Sequence, residues 1–243
     1  MSPRIPLLAA VLVLALVVPA TASAQIYFSI SAGVNGTRAA DVTVNVPSAG
    51  LGATWHDVHF AAKPFKSPQY YQWRLGTFLD HRQRFGVEFE FTHLKVLADT
   101  SRSYGTSGVI NGVAVPEGAV LPMDATVQEY QMSHGLNFLL FNAVARIPFG
   151  SGRFALVTRA GAGPTLPHAE STVLGVFRQQ YEWAGIGYQG AAGVNIRLSR
   201  LISFIADYKL SYAQPRISVA GGTGQTSSLT QQGAFGLAFG FAR

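Results

Sequence analysis

The sequence predicts an all-β fold, an eight-stranded antiparallel transmembrane β-barrel of the outer-membrane type with a plugged polar lumen. Three observations predict it. The chain opens with an export signal, eight alternating segments follow with links that are short and long in turn, and the strand faces sort into apolar and polar sides.

The export signal comes first in the chain. Arg4 supplies a positive n-region, Leu7–Val18 is an unbroken apolar stretch, and Ala22-Ser23-Ala24 is an A-x-A cleavage site. The expected division is a signal peptide over residues 1–24 and a single outer-membrane barrel domain over 25–243, with the mature chain starting at Gln25.

Composition narrows the class further. Charged residues make up 12% of the chain, against roughly 25% in soluble proteins. There is no cysteine, so disulfides, zinc–thiolate sites and thiol chemistry are excluded. After the signal no stretch reaches the ~18 consecutive apolar residues of a membrane helix. An exported, weakly charged chain without such a helix satisfies its backbone in a bilayer only as a closed barrel. The net charge of +6 is spread along the chain. It suits solubility or a weak attraction to anionic lipid. Outer-membrane lipid is the expected partner, nucleic acid is not, and a monomer is expected.

The eight segments are Ile26–Gly36, Tyr70–Leu79, Phe85–Leu97, Tyr130–Ile147, Phe154–His168, Tyr181–Leu198, Leu201–Tyr212 and Leu229–Phe241. Asp80–Arg84, Pro148–Arg153 and Ser199–Arg200 are short turns, expected at the periplasmic side. Thr37–Gln69, Ala98–Glu129, Ala169–Gln180 and Ala213–Ser228 are longer and expected outside. In the third segment Phe85, Val87, Phe89 and Phe91 share one face, while Glu88, Glu90 and Thr92 share the other. A soluble lipocalin-type barrel would reverse this and line its cavity with apolar residues. The Asp80–Arg84 turn sets Arg74 beside Glu88 or Glu90, an ion pair inside the wall. Eight strands leave an interior just wide enough for side chains, so the lumen is expected to be plugged.

The fourth and fifth segments flank Pro148–Arg153 and carry a histidine near the far end of each arm, His134 and His168. Pairing through that turn makes the two cross-strand neighbours. Both share parity with positions expected to face lipid: Leu136, Phe138 and Leu140 on one arm, Phe154 and Leu156 on the other. Five of the six histidines (His56, His59, His93, His134 and His168) fall on the outer side, and His81 sits in a periplasmic turn. Imidazole there can serve as a general acid or base. It can also ligate a transition metal, with Asp57 or Glu170 completing a His/carboxylate set, or contact lipid phosphates. A single interfacial histidine is more simply a member of the aromatic girdle. The candidate catalytic set is His134, His168, Asp57 and Glu170, with His56, His93 and Asn137 as weaker members. Ser133 beside His134 is set aside as a nucleophile, because sequence neighbours on a strand face opposite ways. No G-x-S-x-G, H-E-x-x-H or phosphate-binding glycine loop is present.

Five runs occur in a characteristic order: Thr54-Trp55-His56-Asp57-Val58, Phe91–Asp99, His134-Gly135-Leu136-Asn137, Gly161–Glu170 and Tyr208-Lys209-Leu210-Ser211-Tyr212. With them, the chain resembles the outer-membrane barrel family that includes the rhizobial lipid A oxidase, over about Gly50 to Arg243. Ala169 stands where that family usually has a branched apolar residue, and Ala61-Ala62-Lys63 is a looser form of its loop before Pro64-Phe65. The resemblance implies oxygen-dependent oxidation of the proximal glucosamine of lipid A to 2-aminogluconate. It makes a divalent metal an open requirement without naming ligands. Two alternatives stand beside the oxidase: a non-catalytic structural or lipopolysaccharide-binding barrel, and a lipid A deacylase.

Overall fold

The computed structural model describes residues 25–241. The expected signal peptide, residues 1–24, lies outside the described residues. Eight long strands carry the architecture: β1 (Gln25–Thr37), β2 (Tyr71–Phe78), β3 (Phe85–Ala98), β4 (Val127–Phe149), β5 (Phe154–Val173), β6 (Ile186–Arg197), β7 (Ile202–Ala213) and β8 (Ser228–Phe241). Each pairs antiparallel with its neighbours in chain order, and β8 pairs with β1, so the sheet closes on itself. No helix among the described residues is long and apolar enough to cross a membrane.

The outer wall is apolar. Ile26, Ile30, Leu75, Val87, Phe141 and Phe235 are among many large hydrophobic side chains left exposed. Closed pairing removes free strand edges, and the apolar exterior suits hydrocarbon, as in a transmembrane barrel. Strands β4 and β5 are 23 and 20 residues long, well beyond the ~9–11 that a membrane strand needs. Their far ends therefore rise above the hydrocarbon.

The interior has two zones. Toward the periplasmic turns it is ionic. Arg74 pairs with Glu90 and Asp207 at 2.8 and 2.6 Å, Arg159 with Glu88 and Asp207 at 2.9 Å each, and Lys209 with Glu90 at 2.5 Å. Register places Arg74 directly opposite Glu90, and the same guanidinium lies 3.6 Å from Glu88. The cross-wall pair expected from the turn is present, extended across the barrel by Asp207. Arg197, which strand alternation also points inward, lies exposed at the periplasmic mouth, where it lines a cavity of about 170 Å³.

Toward the outside the interior is apolar, which the sequence reading did not anticipate. The long links 38–70, 99–126 and 214–227 form a second antiparallel sheet. Its strands include Ala40–Val46, Leu51–Val58, Ser103–Ile110 and Gly222–Thr226. Val42, Val44, Val46, Leu51 and Trp55 turn one face of it inward. They pack in one core with Leu136, Phe138 and Leu140 of β4. The expectation that Leu136, Phe138 and Leu140 face lipid is therefore corrected: all three are buried, and Phe141 carries the exposed face of β4. The apolar-outward rule fails here because the cap supplies an apolar interior that consumes inward hydrophobic residues.

Candidate functional site at the outer rim

The outer ends of β3, β4 and β5 build the site, and a bulge aims it. The β4–β5 register runs regularly up to Leu136↔Pro167, then resumes at Gln131↔Glu170, so four residues of β4 oppose two of β5. On the other side, Lys95 of β3 faces Ser133, His134 and Gly135. Gly135 sits at φ 106, a conformation that L side chains rarely adopt. A Cβ there would lie 2.3 Å from the His93 ring. Regular alternation would put His134 with the buried Leu136. The bulge turns it out instead, as bulges commonly re-aim side chains.

His134 and His168 consequently meet edge to face, with ring centroids 4.8 Å apart. Both Nδ1 atoms converge on one oxygen of Glu170, at 2.8 Å from His134 and 3.1 Å from His168. His134 is half exposed, while His168 and Glu170 are 13% and 11% exposed. The Tyr181 ring packs tilted against His168, with centroids 4.5 Å apart. Ser133 Oγ donates to Glu170 at 2.6 Å, and the Gln131 amide donates to its other oxygen at 3.0 Å. The bulge thus defeats the argument that set Ser133 aside, since its hydroxyl also lies 2.9 Å from His134 Nδ1. Burial raises the Glu170 carboxyl pKa. Hydrogen bonds from Ser133 and His134, with the charge of both imidazoles, outweigh burial and leave it below the usual carboxylate range.

His134, His168 and Glu170 offer three ligand atoms within 4.8 Å of one another. Their fit to a metal ion rests on His168 Nδ1, a buried nitrogen without a hydrogen-bond partner, aimed into the cluster. Two imidazoles and a carboxylate form a donor set suited to a divalent transition metal.

The other candidates lie elsewhere. Asp57 is corrected as a partner of this pair. It sits in the cap sheet at φ 54, and its backbone N–H donates to Asp41. His56 is beside it, bonded to Asp41 and Ser107. His93 lies one layer below the rim, stacked on Tyr71 at 5.0 Å and bonded to the Asn137 amide oxygen at 2.9 Å. Asn137 in turn donates to the Leu166 carbonyl. These two support the wall beneath the site without joining the ligand set. Lys95 Nζ donates to the carbonyls of Lys66 and Ser67 at 2.8 and 3.0 Å. This ties a loop bearing exposed Lys63, Phe65 and Lys66 to the same flank. Sequence reasoning missed Gln131, Tyr181 and Lys95. Gln131 and Tyr181 were legible only as strand-end residues, and Lys95 only as a charge two positions from His93.

The closed barrel, its apolar belt and its long outer links define the class: a transmembrane β-barrel of the outer-membrane type. No protein-family profile matches the sequence, and no curated protein matches it. Among solved structures the chain is similar in fold to three outer-membrane barrels. For Neisserial surface protein A the identity is 11% and the TM-score 0.42, over 90% of this chain and 99% of that one. For the outer membrane protease OmpT from Escherichia coli the values are 8% and 0.46, over 89% and 97%. For the outer membrane protein OprG from Pseudomonas aeruginosa they are 9% and 0.44, over 91% and 97%.

Proposed function

We propose that this outer-membrane barrel holds a divalent metal ion on His134, His168 and Glu170 and oxidises the sugar head group of an outer-leaflet lipid, as the sequence resemblance to the lipid A oxidase family implies. The observation that carries the reading is the convergence of two imidazoles and one carboxylate at the strand ends above the apolar belt. When bound to such a set, an iron-type ion supplies dioxygen chemistry, since two imidazoles and a carboxylate leave coordination positions open. The chain's own residues do the rest. Ser133 and Gln131 fix the carboxylate from outside the ligand set, as supporting hydrogen bonds do at metal centres. Tyr181 packs over His168. Lys63 and Lys66 make a cationic flank for the lipid's phosphates, on a loop that the buried Lys95 anchors, with Phe65 beside them to enter the interface.

That same cationic flank favours a second reading, a barrel that binds lipopolysaccharide without changing it. Mass spectrometry of lipid A incubated in air with refolded protein, with and without chelator, separates the two. Gain of one oxygen atom, abolished by chelator, is the expected result. Lipid recovered unchanged from metal-loaded protein would leave only the binding reading, and acyl loss would point to a deacylase.

A further inference from the structure

The exposed face of the cap sheet carries a second constellation, on three adjacent strands. Asp41 comes from Ala40–Val46, His56 from Leu51–Val58 and Ser107 from Ser103–Ile110. Asp41 Oδ2 lies 3.0 Å from His56 Nδ1, and His56 Nε2 lies 2.9 Å from Ser107 Oγ. The two ring nitrogens are thus used for different partners. A carboxylate only accepts, so Nδ1 carries the proton toward Asp41 and Nε2 is left with its lone pair toward the serine hydroxyl. That assignment of nitrogens makes a serine nucleophilic on any fold.

The backbone is bent to produce it. The register between these strands shifts between Ala40↔Val58 and Val42↔Trp55, so His56 and Asp57 together oppose Asp41. Asp57 occupies the extra position at φ 54, uncommon for a residue with a side chain. Its N–H donates to Asp41 Oδ1 at 3.1 Å, fixing the carboxylate that faces His56. The sheet accepts a strained residue where a regular ladder would leave Asp41 out of register. His56, Asp41 and Ser107 remain open to solvent, and Gly105 keeps the surface beside His56 clear.

We propose that Asp41, His56 and Ser107 form a metal-independent acyl-transfer site that hydrolyses an accessible, polar carboxylic ester. Ser107 Oγ bonds to the ester carbonyl carbon while its proton passes to His56 Nε2. The carbon–oxygen bond to the alcohol breaks, and the alcohol leaves with that proton. Water then attacks the acyl-serine, gives one proton to His56 and leaves as part of the carboxylic acid, and His56 returns the proton to Ser107. Asp41 acts as a positioning residue, holding the imidazole and offsetting its transient charge.

The test uses the refolded full barrel with diisopropyl fluorophosphate, followed by peptide mass mapping, and with p-nitrophenyl acetate for turnover. The expected result is a single phosphorylated residue, Ser107. His56→Asn should slow labelling by about a hundredfold or more, as loss of a general base does. Ser107→Ala should reduce ester turnover to the level of the remaining imidazoles. Asp41→Asn should lower the labelling rate without preventing adduct formation, an effect that a purely structural carboxylate would not have. Chelator should leave all of this unchanged, which separates the site from the rim cluster. An unlabelled Ser107 in correctly folded protein, or equal labelling rates in wild type and His56→Asn, would overturn the proposal.

Discussion

The ionic lumen and the outer rim are built from the same kinds of groups and solve opposite problems. In the lumen, Arg74, Arg159 and Lys209 stand against Glu88, Glu90 and Asp207, so the charges cancel within the wall. Asn142 and Gln189 add hydrogen bonds to Glu90 at 3.2 and 3.0 Å. At the rim, two imidazoles crowd a single carboxylate oxygen, and His168 Nδ1 has no hydrogen-bond partner. The lumen is saturated in charge, each carboxylate facing a cation even though Arg74 Nη2 and the Gln189 amide oxygen find no hydrogen-bond partner. The rim instead sets two imidazoles on one carboxylate and keeps donor capacity in reserve. Saturation reads as structure, and reserve reads as a place for something that arrives from outside.

The largest effect is expected where the lumen is broken. Arg74→Ala leaves Glu90 and Asp207 buried with one cation fewer, and losing one partner of a buried pair costs ~3–5 kcal/mol. Urea unfolding of the barrel refolded in lipid vesicles measures this. A loss below about 1 kcal/mol, the level of an exposed pair, would mean that the lumen is not a stability element. Next comes the metal. A divalent ion at about 100 times its Kd should raise the unfolding free energy by ~2.7 kcal/mol if it binds only the folded state. The rise should vanish in His168→Ala and persist in His56→Asn. An equal rise in wild type and His168→Ala would place the metal elsewhere. A smaller effect is expected from Gly135→Ala, which forces a Cβ against the His93 ring at positive φ. Strain of that kind costs on the order of 1–3 kcal/mol, and the metal response should be lost with it because His134 swings off Glu170. Full metal binding in Gly135→Ala would show that the bulge does not aim the site.

These predictions rest on features that the sequence revealed unevenly. The lumen was legible because it depends on short turns. A link of five residues fixes the β2–β3 register closely enough to set Arg74 against Glu90. Asp207 was not legible as a partner, since it reaches Arg74 across the barrel from a strand far along the chain. The proximity of His134 and His168 was legible for the same local reason, although the orientation argued for it was not. Leu136, Phe138 and Leu140 were read as lipid-facing because alternation carries no sign, and a cap that makes the interior apolar reverses the sign. His134 reached the outer face only through a two-residue bulge, for which Gly135 is the sole local signal. The cap sheet itself escaped because its strands lie within links read as loops, and their pairing is long-range. With it went Asp41 and Ser107, which flank His56 in space from positions far away in sequence.

A carboxylate at the opposite end of the barrel gives the finest test of the contrast between saturation and reserve. Asp80, in the periplasmic turn between β2 and β3, accepts from the backbone N–H groups of Phe85 at 2.8 Å and Arg84 at 2.7 Å. The Phe85 N–H is the stronger influence, and together these donors hold the carboxyl below its ordinary value. Hydrogen bonds to the charged form favour that form. The stabilisation is therefore fully present above the unfolded value of about 3.9 and lost as pH falls through the lower folded value. In Asp80→Asn that part of the acid dependence should disappear, as read from unfolding midpoints between about pH 5 and pH 2. Added divalent metal should not alter the difference between wild type and Asp80→Asn, because the chain itself already supplies both donors. Glu170 should behave otherwise. Its donors include the His134 imidazole, with His168 close beside it, and a metal can take over both nitrogens, so Glu170→Gln should abolish the metal's stabilising effect while Asp80→Asn preserves it. A metal response that survives Glu170→Gln would show that this carboxylate is no more a ligand than Asp80, and the rim would lose its claim to donor capacity held in reserve.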